Sequence, residues 1–502
     1  MEVLTSLAHG FAVALEPGNL LWCFVGVFLG TIVGVLPGLG PPATIAMLLP
    51  LTFHMNPAGA IIMLAGIYYG AKYGGSTTSI LLNVPGESAS VVTCIDGYQM
   101  ARNGRAGAAL GIAAIASFVA GTVGVVGLML IAPPVARFAL SFSSPEYFAL
   151  MSLGLALVVL LAGRSLVKAL LAALVGLWIS SIGTDLFSAT SRFVFGTMDL
   201  LSGIDFIVVA IGLFAIGEVL ANMETREEAQ MIAVPKGLRN LLPTWQDLKD
   251  CRFAFLNGSI VGFFVGVLPG GGSTIASFLS YGLEKAVSRR REQFGKGVVE
   301  GVAAPEGANN SETGGALVPL LTLGIPGSGT TAILLAALVL WGFKPGPLFI
   351  PENPDLFWGL VASMYIGNVM LLVLNLPLVP LFAQVLRLPP YVMYPIILGV
   401  SVVGVYSESG SLFGLALLAG FGLLGYLMRK IDYPSAPLIL GLALGGGMER
   451  ALRQSLMMSE GNLSILVSRP ISAAILSLAG LVLLIPLFNK VNAWRLQALE
   501  QE

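Results

Sequence analysis

The chain has 502 residues, 56% hydrophobic and 11% charged, with a mean hydropathy of +0.87. Soluble domains carry about 25% charged residues, and a chain this apolar could not clothe itself in polar surface, so lipid is the better solvent for its exterior. A net charge of −1 excludes the basic field that nucleic acid requires, and Cys23, Cys94, Cys251, His9 and His54 fall at no metal-ligand spacing.

The first sixty residues contain no Lys or Arg, so no cleavable signal peptide is expected. The reading is an all-α, polytopic integral membrane protein, since a helix needs roughly 20 apolar residues to cross the hydrocarbon. In chain order, an apolar region at about 20–50 is interrupted by Pro37-Gly38-Leu39-Gly40-Pro41-Pro42. A second, at about 57–90, ends in Val84-Pro85-Gly86-Glu87-Ser88. Uninterrupted spans are predicted at about 107–132, 146–163, 166–183 and 203–221. Beyond a polar stretch at 222–252 lie two more broken regions, about 253–282 and 300–343. Uninterrupted spans follow at about 357–386, 391–406, 410–428 and 471–488, with the topology around 430–502 left open.

The broken regions form two pairs. GVFLGTIVGVLPGLG at 26–40 matches GSIVGFFVGVLPGGG at 258–272, with glycine at every fourth place in both. Gly74-Gly75 leads to Pro85-Gly86 as Gly314-Gly315 leads to Pro326-Gly327. The pattern points to a duplication: residues 1–221 as one repeat, 222–252 as a cytoplasmic linker and 253–502 as the second repeat. Basic residues flank 253–282 on both sides (Lys236, Arg239, Lys249, Arg252, then Lys285, Arg289, Arg290, Arg291), and none flank 20–50. By the positive-inside rule each segment enters and leaves on one side, from opposite faces. Two inverted repeats with re-entrant hairpins are therefore expected, an architecture many secondary transporters share.

Non-helical backbone at membrane depth costs several kcal/mol per unpaired group and is tolerated where protein or a hydrated cavity surrounds it. A Pro-Gly break frees amides at one helix N-terminus, suited to an anion, and carbonyls at another C-terminus, suited to Na⁺. The bland alternative is a kink with close glycine packing. Candidate substrate-binding residues are Pro37, Gly38, Gly40, Lys72, Ser76, Thr77, Asn83, Pro85 and Gly86 in the first repeat. In the second they are Gly270, Gly271, Gly272, Ser273, Thr274, Asn309, Asn310, Pro326, Gly327, Ser328 and Thr330. Backbone near Gly38, Gly86, Gly270 and Gly327 is the candidate Na⁺ site; no other cofactor is expected. Lys72, a cation in an apolar run, either pairs with a substrate carboxylate or with Glu87, or snorkels to an interface. Glu306 and Glu312 either assist a cation or proton or, as their place near the cytoplasmic end favours, lie on a solvated face.

The stretches GVLPGLGPPATIA (34–46), YGAKYGGSTTSILLNVPGE (69–87), DGYQMARNGRAG (96–107), GVLPGGGSTIASFLSY (266–281) and EGANNSETGGALVPLLTLGIPGSGTTA (306–332) resemble the large membrane subunit of tripartite tricarboxylate transporters, the TctA type, over nearly the whole chain. The resemblance implies a multi-pass protein of the bacterial inner membrane that works with a small membrane subunit and a periplasmic solute-binding protein. It implies secondary transport of citrate-like carboxylates on a Na⁺ or H⁺ gradient, with no enzymatic activity, and it carries Pro37-Gly38, Pro85-Gly86, Pro269-Gly270 and Pro326-Gly327 over as signature residues. An elevator-like motion is expected from the opposed hairpins, with helices such as 107–132 and 357–386 as scaffold. The rival readings are an intramembrane enzyme and a passive carboxylate channel. The absence of a Walker A sequence argues against an ATP-driven pump.

Overall fold

The computed structural model describes residues 2–36, 40–161, 165–185, 187–224, 232, 237–270, 272–384 and 390–499. The first repeat region comprises α1 (Glu2–Ala14), α2 (Pro17–Val35), α3 (Pro41–Leu48), α4 (Pro57–Leu82), α5 (Val91–Met100), α6 (Ala106–Ala139), α7 (Ser144–Leu161), α8 (Leu166–Ser180), α9 (Phe206–Ala210) and α10 (Gly217–Glu224). Short helices α11 (Leu238–Leu241) and α12 (Trp245–Asp250) lead to α13 (Arg252–Val267), α14 (Gly272–Val287), α15 (Glu300–Leu323), α16 (Gly329–Leu340), α17 (Phe349–Glu352) and α18 (Pro354–Asn375). The chain closes with α19 (Val379–Phe382), α20 (Pro390–Ser409), α21 (Leu412–Lys430), α22 (Ser435–Met458), α23 (Ile465–Ser468) and α24 (Pro470–Leu499). Among the described residues, five helices are long and apolar enough to cross a bilayer, and a sixth span arises if 239–267, bent by 86°, counts as one.

Local chemistry sets the helix starts. Proline stands in the first turn of α2, α3, α4 and α18, where its missing N–H costs nothing. Asn56 caps α4 by accepting the Gly59 N–H at 2.5 Å. Continuous expectations mostly become single helices; 357–386 is shorter, because α18 stops at Asn375 before the separate turn of α19.

Two helices occupy the centre. α4 is buried from Gly59 to Leu81 and α15 from Glu300 to Thr322. The four-residue glycine rows explain how neighbours come so close. A Cβ on Gly26, Gly30 or Gly34 would strike the backbone of α4 at Met63, Ile67 or Ala71, and one on Gly262 or Gly266 would strike α15 at Ala308 or Glu312. Helix backbones approach like this where glycine removes the side chain between them. The opposite face of α13 exposes Phe253, Leu256, Ile260 and Phe264, an apolar surface that lipid solvates.

α13 and α14 fold back side by side: Asn257 donates to the Ser280 carbonyl at 2.9 Å and to Glu284 at 3.0 Å. Residues 253–282 thus form two adjacent helices. α3 departs from that picture, packing chiefly on α4, on the π-helical stretch Ile211–Ile216 and on α16 rather than along α2. α6 and α18, expected as scaffold, pack directly on α15 and α4. A second group, α7, α8, α21 and α22 with the Ile211–Ile216 stretch, pairs mainly within itself.

Candidate functional site

α4 and α15 end in the same way. Asn83 closes α4 in the left-handed region at φ 59°, and Gly324 closes α15 at φ 69°. Each lies two residues before a proline, Pro85 or Pro326, which offers no N–H to extend the helix. The chain then restarts under a self-made cap. Glu87 and Ser90 cap one another reciprocally, as do Ser328 and Thr331.

Side chains and backbone tie these restarts to the hairpin tip. The Gly270 N–H donates to the Gly327 carbonyl at 2.8 Å. The Thr274 hydroxyl donates to the Ser88 hydroxyl at 3.0 Å, joining α14 to the turn before α5. Between them lies a cavity of about 370 Å³. Pro41, Pro42, Tyr68, Glu87 and Ser88 wall it from the N-terminal half of the chain, and Gly270, Gly272, Ser273, Thr274, Gly327, Ser328 and Thr330 from the C-terminal half. Val158, Phe214, Ala436 and Leu440 close the side facing the outer helices. A neighbouring cavity of about 350 Å³ shares Pro41, Pro42, Glu87, Ser88 and Phe214 and adds Gly40, Pro85, Gly86 and the Glu218–Arg429 ion pair.

Helices α3, α14 and α16 and the short turn at Ser88–Ser90 all begin at this cavity, though α3 opens on Pro41 and Pro42, which have no N–H to offer. The first N–H groups of a helix have no partner inside it, and the dipole there is positive. With hydroxyls from Ser88, Ser273, Thr274, Ser328 and Thr330 beside them, the wall is rich in donors. Among the described residues lining the larger cavity there is no Lys, Arg or His. Such a surface replaces the hydration shell of a carboxylate without a fixed cation.

The middle of the same two helices behaves differently. Lys72 is fully buried and donates to Glu312 Oε2 at 2.6 Å and to the Asn309 carbonyl at 2.9 Å, with its ammonium 4.8 Å from the Tyr68 ring centroid. Tyr68 also donates to Glu312, at 3.1 Å. Glu306 accepts from Ser76 at 2.5 Å, from Thr93, and from Asn309 at 3.2 Å. Asn310 donates to Ser117 at 2.8 Å and to Asn309 at 2.5 Å. Farther along α4, Tyr73 donates to Asn368 of α18 at 2.6 Å, and Asn368 donates to the Phe118 carbonyl of α6.

Several expectations are corrected here. Lys72 neither snorkels nor pairs with Glu87; its partner is Glu312. Glu306 and Glu312 are 0% and 1% exposed, so neither lies on a solvated face. Their helix runs through the centre of the molecule, where each carboxylate has an internal partner. Lys72, Ser76, Thr77, Asn309 and Asn310 do not line the cavity at the breaks; Ser76 and Thr77 border a void of about 10 Å³, roughly the room of one water. Asn83 is exposed as a helix cap, and Pro326 is buried without lining the cavity. Gly86 is packed so that a Cβ would meet the Gly34 carbonyl. Pro37, Gly38 and Gly271 lie outside the described residues. Sequence reading missed Tyr68, Ser88, Thr93 and Asn368. Asn368 carried a signal, as an amide within an apolar run; Thr93 carried none, since its role depends on how α5 folds against α15.

These features define a class: a polytopic α-helical membrane protein whose broken helices wall an internal cavity. The chain belongs to the Tripartite tricarboxylate transporter TctA family, whose description matches residues 20–440. That is a transporter family, supplying one component of tripartite transporters. The chain is 45% identical over 498 residues to the uncharacterized 52.8 kDa protein in the TAR-I ttuC' 3' region of Agrobacterium vitis, covering 99% of this chain and 98% of that one. A second Agrobacterium vitis protein, uncharacterized and in the TAR-II ttuC' 3' region, is 39% identical over 241 residues, covering 48% of this chain and all of its own length. No solved structure matches.

Proposed function

We propose that the chain is the large membrane subunit of a binding-protein-dependent secondary transporter that imports citrate-like tricarboxylates or related carboxylates. A Na⁺ or H⁺ gradient drives the import across the bacterial inner membrane. The small membrane subunit and the periplasmic solute-binding protein are its proposed partners. The observation that carries this reading is the donor-rich cavity of about 370 Å³ at which four helical starts meet. Substrate is held there by first-turn amides and by Ser88, Ser273, Thr274, Ser328 and Thr330, while backbone carbonyls near Gly86, Gly270 and Gly327 offer oxygen to Na⁺.

The motion we propose is elevator-like. The two repeats, taken as inverted, move as one unit through α2–α6 and α13–α18 against α7, α8, α21 and α22, since the cavity lies on the seam between these groups. The experiment is uptake of labelled citrate by proteoliposomes holding this chain and the small subunit, with binding protein outside. Uptake that needs both a cation gradient and the binding protein is expected. Uptake indifferent to both overturns symport, and a failure of counterflow points to a passive channel.

A further inference from the structure

Glu87 is the one charged group among the described residues lining the larger cavity, and it also borders its neighbour. It is 7% exposed. The Ser90 N–H donates to its backbone carbonyl at 3.1 Å, and Oε1 has no hydrogen-bond partner among the described residues. The stem lies against α4 where Gly75 leaves room, since a Cβ there would stand 3.0 Å from Glu87 Cγ.

Lys72 acts on it only through space, and among the described residues no cation pairs with it directly. Lys72 is committed to Glu312 at 2.6 Å, and Arg429 across the neighbouring cavity is committed to Glu218 at 2.6 Å. Tyr68 donates to Glu312, and Glu306 is a further acid held by hydroxyl and amide donors. A buried carboxylate with an open oxygen and no counter-ion is costly as a bare anion. It is costlier still beside a carboxylate substrate.

We infer that Glu87 is the residue that takes up the coupling cation, holding one H⁺ or Na⁺ at the cavity wall next to the anionic substrate. The inference rests on the carrier reading. Bringing the cation to Glu87 removes its repulsion toward the substrate, so each ligand favours the other by the same factor. That reciprocity is what symport requires of a binding site.

The test is thermal unfolding of the detergent-solubilised full-length chain and of Glu87→Gln, titrated with NaCl against choline chloride at constant ionic strength, and separately across a pH series. A ligand that binds the folded state raises its midpoint by mass action. Wild type is expected to gain stability with Na⁺ or on acidification, and Glu87→Gln to lose that gain. A Na⁺ response at fixed pH assigns Na⁺; a response to acidification alone assigns H⁺. Identical responses in both proteins overturn the inference.

Should Glu87→Gln not fold, Glu87→Asp decides, because it withdraws the charge by one methylene. A half-saturating cation concentration shifted by about ten-fold supports the site, and an unshifted one overturns it. Citrate uptake by wild type is measured alongside. No uptake together with a Glu87-dependent cation response defeats the carrier reading alone, whereas uptake with matching cation responses defeats the cation site alone.

Discussion

The middle of α4 and α15 and the broken ends of the same helices contain the same kinds of residue, yet they do opposite things. In the middle, Lys72 meets Glu312, Glu306 meets Ser76, Thr93 and Asn309, and Asn310 meets Ser117. Donors and acceptors are spent on each other, and α4 and α15 are locked together. At the ends, Ser88, Ser273, Thr274, Ser328 and Glu87 face a cavity, and Glu87 keeps an oxygen open. Polar density within an apolar helix therefore does not by itself open onto a space. A stop in the helix ladder, which points unpaired amides at one, does.

The largest effect tests the closed half of this contrast. Lys72→Met leaves Glu312 buried beside Tyr68 without its cation, and breaking one side of a buried ion pair costs about 3–5 kcal/mol. Loss of folded protein, or a steep fall in the detergent unfolding midpoint, is expected. Lys72→Met with Glu312→Leu should recover much of that loss, because both charges then leave together. If the double variant is as damaged as the sum of the singles, Lys72 and Glu312 do not act as a pair.

Next in size is the glycine row that brings the backbones together. Gly262→Val would drive a branched side chain into Ala308 of α15, an overpacking that costs about 1–3 kcal/mol. The same substitution at Gly282, where a Cβ would meet nothing within 4 Å, should be far milder. Equal unfolding midpoints for the two would show that the row does not set the spacing. The open half of the contrast answers to a smaller change. Ser273→Ala, Thr274→Ala and Ser328→Ala each remove about 1 kcal/mol of hydrogen bonding, a rise of about five-fold in KM for citrate uptake. Stability should barely move for Ser273→Ala, whereas Ser328→Ala also gives up the cap of α16, about 1 kcal/mol. Ser76→Ala, in the closed network, should show the reverse pattern: a lower midpoint and a KM close to that of wild type.

Much of this fold could be read from residue order. The apolar runs gave the helices, and the two Val-Leu-Pro-Gly motifs marked where α2 and α13 end. The four-residue glycine spacing carried two meanings at once, close packing along α2 and α13 and an opening at their ends, and the structure contains both. Which polar residues reach the cavity could not be read in this way. Ser76 and Ser328 look alike in sequence, but one points across a helix pair and the other stands at a helix start. Glu306 and Glu312 looked solvated because local sequence records charge and not the depth at which α15 runs. The first turn gave no sign that α3 would leave α2 for α4 and α16, since that choice depends on long-range packing.

A cluster outside the spans supplies the control with the smallest expected effect. Gly183–Thr184 and Ser191–Arg192 pair as a short antiparallel ribbon. Between them Asp185 accepts from Ser188 at 2.7 Å and from the Phe187 N–H at 3.1 Å, and it pairs with Arg192 at 2.6 Å and Arg453 of α22 at 3.0 Å. Led by the Ser188 hydroxyl, these donors hold its carboxyl below the ordinary 3.8. Here too the partners are matched, but the Arg192 and Arg453 side chains are 22% and 36% exposed, so solvent screening shrinks what the match is worth. A carboxyl held low in the folded state contributes stability that is fully present above the unfolded value of 3.8 and is lost as pH falls through the lower folded one. Asp185→Asn should therefore lower the unfolding midpoint slightly and evenly at neutral pH, with the gap to wild type narrowing only below about pH 4. A gap that is constant down to acid, or as large as that of Lys72→Met, would mean that closure from water is not what makes the central pair costly to break.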